Sequence, residues 1–207
     1  MYVPKHFENK ESSSVIDFIK SNGFGILVSE NSGKLLATHI PLVIDDGGKK
    51  LHGHVARANA QWKNFDGQEV LAIFNGPHAY ISSSWYNHEN VSTWNYIAVH
   101  VYGNVRLIED EELHQSLTEL VDKYEKQSEK PVSVSGMSQD YLNRAIKGLV
   151  GFEISISKME ASYKLSQNRD LTNYEAIIRQ LEKRNFQDDM RVADAMKSNK
   201  DAIKNKA

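Results

Sequence analysis

What most limits the fold of this chain is a close succession of short apolar segments, each cut off by turn-forming residues, through its first half. Gly25-Ile26-Leu27-Val28 is followed by Glu30-Asn31-Ser32-Gly33. Residues 35–44 come next, with Pro41 among them; a residue lacking a backbone N–H fits an edge or a bulge better than a central strand. Asp45-Asp46-Gly47-Gly48 then closes a predicted hairpin into Leu51-His52-Gly53-His54-Val55. Residues 70–74 read as a buried strand, Asn75-Gly76-Pro77 as a turn into residues 78–81, and residues 96–105 as the longest strand. Strands this short and this closely spaced predict a β-barrel or sandwich at the centre.

Helices are predicted around that centre. Glu109-Asp110-Glu111-Glu112 places negative charge at a helix start, complementing the macrodipole, and Leu113, Leu117, Leu120, Val121 and Tyr124 share one helical face. Ser138 is a candidate N-cap for a second helix carrying Tyr141, Leu142, Ala145 and Ile146. Phe152, Ile154 and Ile156 alternate with polar residues, the period of a half-buried strand. From Leu171 the tail reads as helix with Tyr174, Ile177, Ile178 and Leu181 as its apolar stripe, fraying beyond Lys197. The fold class is therefore α+β, mainly β with helices.

Bulk charge narrows the function. Lys plus Arg number 25 against 27 Asp plus Glu in 207 residues, a net charge of −2, so the composition is not that of a basic nucleic-acid binder. The absence of cysteine excludes thiolate nucleophiles, disulfides and Cys-ligated metals, and fits a reducing cytoplasm. No secretory signal and no uncharged apolar run long enough for a bilayer is present, so a soluble cytoplasmic protein without a membrane partner is expected.

Five segments could carry chemistry. In His52-Gly53-His54 the two imidazoles share one strand face, yet a metal needs more ligands than these, and polar lining of a cavity serves equally. Ala56-Arg57-Ala58-Asn59-Ala60-Gln61-Trp62 reads as a strand running into a short helix whose first turn carries an arginine. That arrangement suits a phosphate; the alternative is a surface arginine beside a packed tryptophan. Asn75 to Tyr86 and Val91 to Tyr102 are rich in aromatics and hydroxyls. Tyr80, Trp85, Trp94 and Tyr96 suit a planar heteroaromatic ligand, with Ser82, Ser83, Ser84, Thr93 and Asn95 as hydrogen-bonding groups, or else simply build strands. Lys164-Leu165-Ser166-Gln167-Asn168-Arg169 is a cationic, multi-donor loop that either holds an anion or is merely solvated.

Taken together, HGHVARANAQW, FNGPHAYISSSWY, STWNYIAVHVYG and KLSQNR, with the opening MYVPKHF, resemble the PaiB family of FMN-binding negative transcriptional regulators. The resemblance runs from Met1 into the C-terminal helices. Ala60, Ser83 and Ser92 stand where the family pattern leads one to expect proline, which loosens the local loops without touching the fold. The resemblance implies an FMN-binding split β-barrel over residues 1–170, with helical insertions, and a helical C-terminal extension over 171–207. It also implies a homodimer with FMN at its interface. By motif it places the flavin along Leu36-Ala37-Thr38-His39, with Thr38 and His39 as contacts and His52 nearby. Arg57, Ala58 and Asn59 fall at the phosphate end, Tyr80, Ser82 and Trp85 along the pocket wall, and Lys164, Gln167 and Arg169 on a closing loop.

Two functions follow from that resemblance. One is a redox- or flavin-linked regulator, with DNA as a conceivable partner. Lys183, Arg184, Arg191, Lys197, Lys200, Lys204 and Lys206 gather near the C-terminus, but Asp188, Asp189, Asp194 and Asp201 dilute them and no helix-turn-helix is evident. The other is a flavin-dependent oxidoreductase, or a haem-binding variant using His52 or His54.

Overall fold

The computed structural model describes residues 1–199, and the chain order explains its sheet. Strand β1 (Phe24–Asn31) and β2 (Lys34–Pro41) form a hairpin registered from Phe24 opposite Pro41 to Asn31 opposite Lys34. Its two-residue loop, Ser32-Gly33, has positive φ at both positions (52° and 79°), the primed-turn geometry whose twist matches the flanking strands. β3 (Val43–Ile44) and β4 (Lys50–Ala56) form the second predicted hairpin. There the Asp45 carboxylate accepts from the N–H groups of Lys49 and Lys50, and Gly48 supplies the left-handed φ of 64°. With β5 (Glu69–Ile81), β6 (Thr93–Ile108) and β7 (Leu149–Lys164) they make a seven-stranded sheet in the order β2-β1-β5-β6-β7-β4-β3. The registers of β1 with β2 and β5, and of β4 with β3 and β7, are antiparallel. Pro41 thus lies on an end strand, as its missing N–H requires.

One sequence expectation is corrected and others are refined. Asn75-Gly76-Pro77 makes no turn: β5 runs through it unbroken. β1 pairs with β5 only over positions 71–73, so Pro77 lies beyond the register in which a β1 partner would need its N–H. The tail is two helices, α4 (Leu171–Arg184) and α5 (Gln187–Ser198), divided at Asn185, whose left-handed φ of 56° stops α4. Helix α5 ends at Ser198, and the stretch beyond Lys197 expected to fray lies, from Lys200 through Asp201, Lys204 and Lys206, outside the described residues. The helix α1 (Ser12–Ser21), which buries Val15, Ile16 and Ile19, had no counterpart in the sequence reading. Helices α2 (Asp110–Glu125) and α3 (Gln139–Lys147) stand where expected, although the Ser138 hydroxyl makes no capping bond.

The described chain forms two units. The larger, residues 12–74 and 100–159, holds α1 to α3, β1 to β4 and parts of β5, β6 and β7. Its core includes Leu27, Leu42, Leu51, Phe74 and Ile154, with Phe65 and Phe152 edge to face at 5.2 Å. Gly103 lets β6 approach β7 closely, since a Cβ there would lie 2.3 Å from the Ser155 carbonyl oxygen. The smaller unit, residues 1–11, 75–99 and 160 onward, buries Ile81, Leu165, Tyr174, Ile177, Leu181, Val192 and Met196. Within it the Tyr174 hydroxyl donates to the Met196 carbonyl at 2.7 Å, tying α4 to α5.

Candidate functional site

In the larger unit the predicted flavin strand is the end strand of the sheet. Residues 34–37 of β2 are exposed on both faces, with Leu35 77% exposed, so this edge carries open backbone groups and uncovered apolar side chains. His39 is exposed as well, its ring 6.4 Å from that of Phe24. Beneath the edge lies a buried polar junction that the sequence reading overlooked. Gln61, 1% exposed, donates from Nε2 to the Ser29 hydroxyl (2.9 Å) and the Leu27 carbonyl (3.1 Å) and accepts from the Thr38 hydroxyl (2.6 Å). Asn59 donates to Thr38 Oγ1 at 3.0 Å and accepts from the Gln61 backbone N–H. Thr38 and Asn59 are therefore brought together, with Gln61 as the piece that holds both.

Arg57 differs from its sequence reading in placement. It sits in the turn after β4, ahead of the N-cap Asn59 and the short 3-10 helix Ala60–Asn64, not within that helix. Its Nε and one terminal nitrogen donate to the Lys147 and Leu149 carbonyls at 2.8 and 2.9 Å, and its guanidinium carbon lies 5.9 Å from the Trp62 ring centroid. The guanidinium has further N–H groups beyond these two bonds, and both Arg57 and the neighbouring Ala58 are exposed. His52 belongs to a different cleft. It shares a strand face with His54, as predicted, but its Nε2 lies 2.9 Å from the Glu119 carboxylate on α2. That cleft, about 250 Å³, also contains Lys50, Glu112 and Glu153. Arg106 bridges Glu112 and Glu153, and the two carboxylates raise its pKa. Burial lowers the pKa of His54. No group of three or more metal-ligating side chains occurs among the described residues.

In the smaller unit the wall and loop residues fall into two clusters. Tyr80 stands edge-on to Trp94 at 5.8 Å, and both are about half exposed. The Ser82 hydroxyl caps the 3-10 turn Ser83–Trp85 by accepting from the Ser84 N–H, and Arg184 lies 5.2 Å over the Trp85 ring while donating to the Tyr80 carbonyl. The second cluster is a cavity of about 190 Å³ lined by Thr93, Asn95, Lys164, Ser166 and Arg169, among others. Gln167 spends both ends of its amide on the loop itself, accepting from the Leu165 N–H and donating to the Tyr163 carbonyl.

These features suit a flavin nucleotide in kind. An open strand edge offers the alternating donors and acceptors that a flavin's pyrimidine edge requires, and Arg57 retains donors for a phosphate oxygen. Comparison with known proteins bears on the same point. The profile described as "Putative FMN-binding domain" matches residues 1–158. The Bacillus subtilis "Protease synthase and sporulation protein PAI 2" is 45% identical over 185 residues, covering 88% of this chain and 89% of that protein. Among solved structures, an FAD- and haem-binding protein from Mycobacterium smegmatis superposes with a TM-score of 0.62 at 12% identity, covering 82% of this chain and 79% of that one. A flavocytochrome from Azotobacter vinelandii gives 0.56 at 17% identity, covering 84% and 78%. At such identities these structures testify to the fold alone, a split barrel of α+β class. By sequence the chain is an FMN-binding split-barrel protein, a member of the PaiB family.

Proposed function

We propose that this FMN-binding protein is a flavin-linked regulator whose FMN lies along the β2 edge. The carrying observation is the exposed stretch 34–37 of β2, with exposed His39, backed by the Thr38–Gln61–Asn59 junction, a hydrogen-bonded support beneath an open edge. Thr38 and His39 would face the ring system, while Arg57, Ala58 and Asn59 receive the phosphate. Bound FMN supplies one- and two-electron redox chemistry, and the protein supplies orientation and polarity. The regulatory part of the reading rests on the 45% identity to the sporulation protein.

DNA contact through the tail is the weaker half of that reading. Arg184 is paired with the buried Asp189, Arg191 with Asp188, and Lys197 with Glu182 and Asp194. A phosphate backbone would have to displace these carboxylates before gaining from the cations. No helix among the described residues is long and apolar enough to cross a membrane, and with a cysteine-free chain a cytoplasmic site of action is proposed. Residues 1–170 are proposed as the flavin-binding domain and 171–207 as its helical extension.

Two measurements on one sample test the reading. FMN fluorescence should be quenched saturably by the folded protein; no quenching at high micromolar FMN would overturn it. A mobility-shift assay at stated salt, with and without FMN, run beside NAD(P)H oxidation, separates the functions. Turnover of NAD(P)H with no flavin-dependent DNA shift would replace the regulator by an oxidoreductase.

A further inference from the structure

We propose that the cavity between the KLSQNR loop and the start of β6 is an oxyanion site that takes a phosphoryl group. All of its lining lies in the smaller unit: His6 and Phe7 from the N-terminus, Val91 ahead of β6, Thr93 and Asn95 from β6, and Lys164, Ser166, Asn168 and Arg169 from the end of β7 and the loop after it. The Lys164 ammonium donates to the Thr93 hydroxyl at 2.6 Å, which aims the cation and leaves its other two N–H groups free of that contact. Arg169 is held from behind, its guanidinium 5.1 Å over the Tyr86 ring and 3.5 Å from the Asn90 amide oxygen.

Charge balance gives the site its sign. Among the described residues neither cation is within ion-pair distance of a carboxylate, and the lining contains no acidic residue. The nearest acid in sequence, Asp170, is committed to capping α4, accepting from the Asn173 backbone and side-chain amides at 3.0 and 2.6 Å. Burial, with the Arg169 charge beside it, holds the Lys164 ammonium below the usual lysine range. The lining offers Lys164 the Phe7 ring at 6.0 Å and the Thr93 hydroxyl, neither of which carries charge, so two like charges facing one cavity are left to be balanced by an anion. The floor is polar and fixed as well. Asn95, fully buried, accepts from the buried Ser166 hydroxyl at 3.0 Å, and Ser166 holds a left-handed φ of 62° in the loop turn.

Size selects the ligand. About 190 Å³ is below the roughly 300–1,000 Å³ that encloses a drug-sized molecule, so a tetrahedral oxyanion or a terminal phosphate fits where a tricyclic ring does not. The phosphoryl group has two possible sources, free inorganic phosphate or the terminal phosphate of FMN. The inference does not rest on the placement of FMN along β2.

Calorimetric titration of the full chain with inorganic phosphate at low ionic strength tests it. Saturable binding is expected, weakened about ten- to a hundred-fold in both Lys164→Met and Arg169→Gln, with Lys164→Arg largely restored. Parallel titrations with FMN and riboflavin identify the source. Unchanged FMN affinity in the two variants means a separate phosphate ligand. A loss for FMN but not for riboflavin means that this cavity holds the flavin's own phosphate. The proposal is overturned if wild-type protein binds no phosphate at millimolar concentration and FMN affinity is unchanged. It is equally overturned if FMN and riboflavin weaken together in folded variants, since that pattern reports general damage.

Discussion

Arg57 joins two duties in one guanidinium, and the two can be separated. Its bonds to the Lys147 and Leu149 carbonyls pin the turn between α3 and β7 to the end of β4, while its guanidinium keeps further N–H groups beyond those two bonds. Arg57→Ala should therefore lower stability by on the order of 1 kcal/mol, read by denaturant midpoint. If those further donors also hold a phosphate, FMN affinity falls by about ten- to a hundred-fold while riboflavin affinity is spared, and Arg57→Lys recovers only part. A fall in stability with equal affinity for both flavins would leave Arg57 a purely structural tie. His54 carries the pH dependence at this scale. Burial lowers its folded pKa, so the unfolded chain binds the proton first as pH falls through about 6.5. Stability should drop on acidification through that window and level off below the folded pKa; His54→Gln should flatten the slope, as thermal melts across the range will show. The shared face of His52 and His54 was legible in sequence because strand period suffices to place it, whereas Arg57 was expected inside the short helix and lies in the turn ahead of its cap. Gln61 was not: an amide flanked by Ala60 and Trp62 looks like surface until β1 and β2 close over it, and its partners Leu27, Ser29 and Thr38 are far away in the chain.

At the scale of elements, two short 3-10 turns begin at the positions where proline was expected from the family resemblance. Ala60 and Ser83 are the first helical residues after the caps Asn59 and Ser82, where a ring-fixed φ is favoured and the N–H has no intrahelical partner. Ala60→Pro and Ser83→Pro should each stabilise the protein by about 0.4–1 kcal/mol through the unfolded chain, visible as a higher Tm without loss of flavin binding. A lower Tm for either would mean that its N–H is engaged. The hairpins were readable because Ser32-Gly33 and Asp45 to Gly48 carry their own turn chemistry. The misread Asn75-Gly76-Pro77 shows the limit of such signals: turn residues give way to a strand when sheet neighbours hold the chain extended and the proline falls outside the register that needs its donor. Helix α1 escaped notice because Val15, Ile16 and Ile19 make too short an apolar stripe, and its three opening serines resemble a loop.

For the whole molecule, the exposed surface of the β1–β2 hairpin asks for a partner. Phe24, Leu35 and Leu36 leave apolar surface uncovered beside an unpaired strand edge, which soluble chains ordinarily blunt or bury. We expect a homodimer, and sedimentation equilibrium should give twice 23.5 kDa at micromolar concentration; a monomer at every concentration would refute it. Charge substitution at Leu35, as Leu35→Lys, should shift the equilibrium toward monomer without unfolding the chain. The same bare edge has a cost in the cell. An uncovered strand is what chaperones retain, proteases cut and neighbouring chains add to, and any ligand that favours the covered form withdraws the chain from those fates by mass action. The abundance of this protein would then follow the supply of its vitamin-derived cofactor: riboflavin-starved cells would hold less of the polypeptide at equal rates of synthesis, and its half-life would serve as a gauge of flavin status.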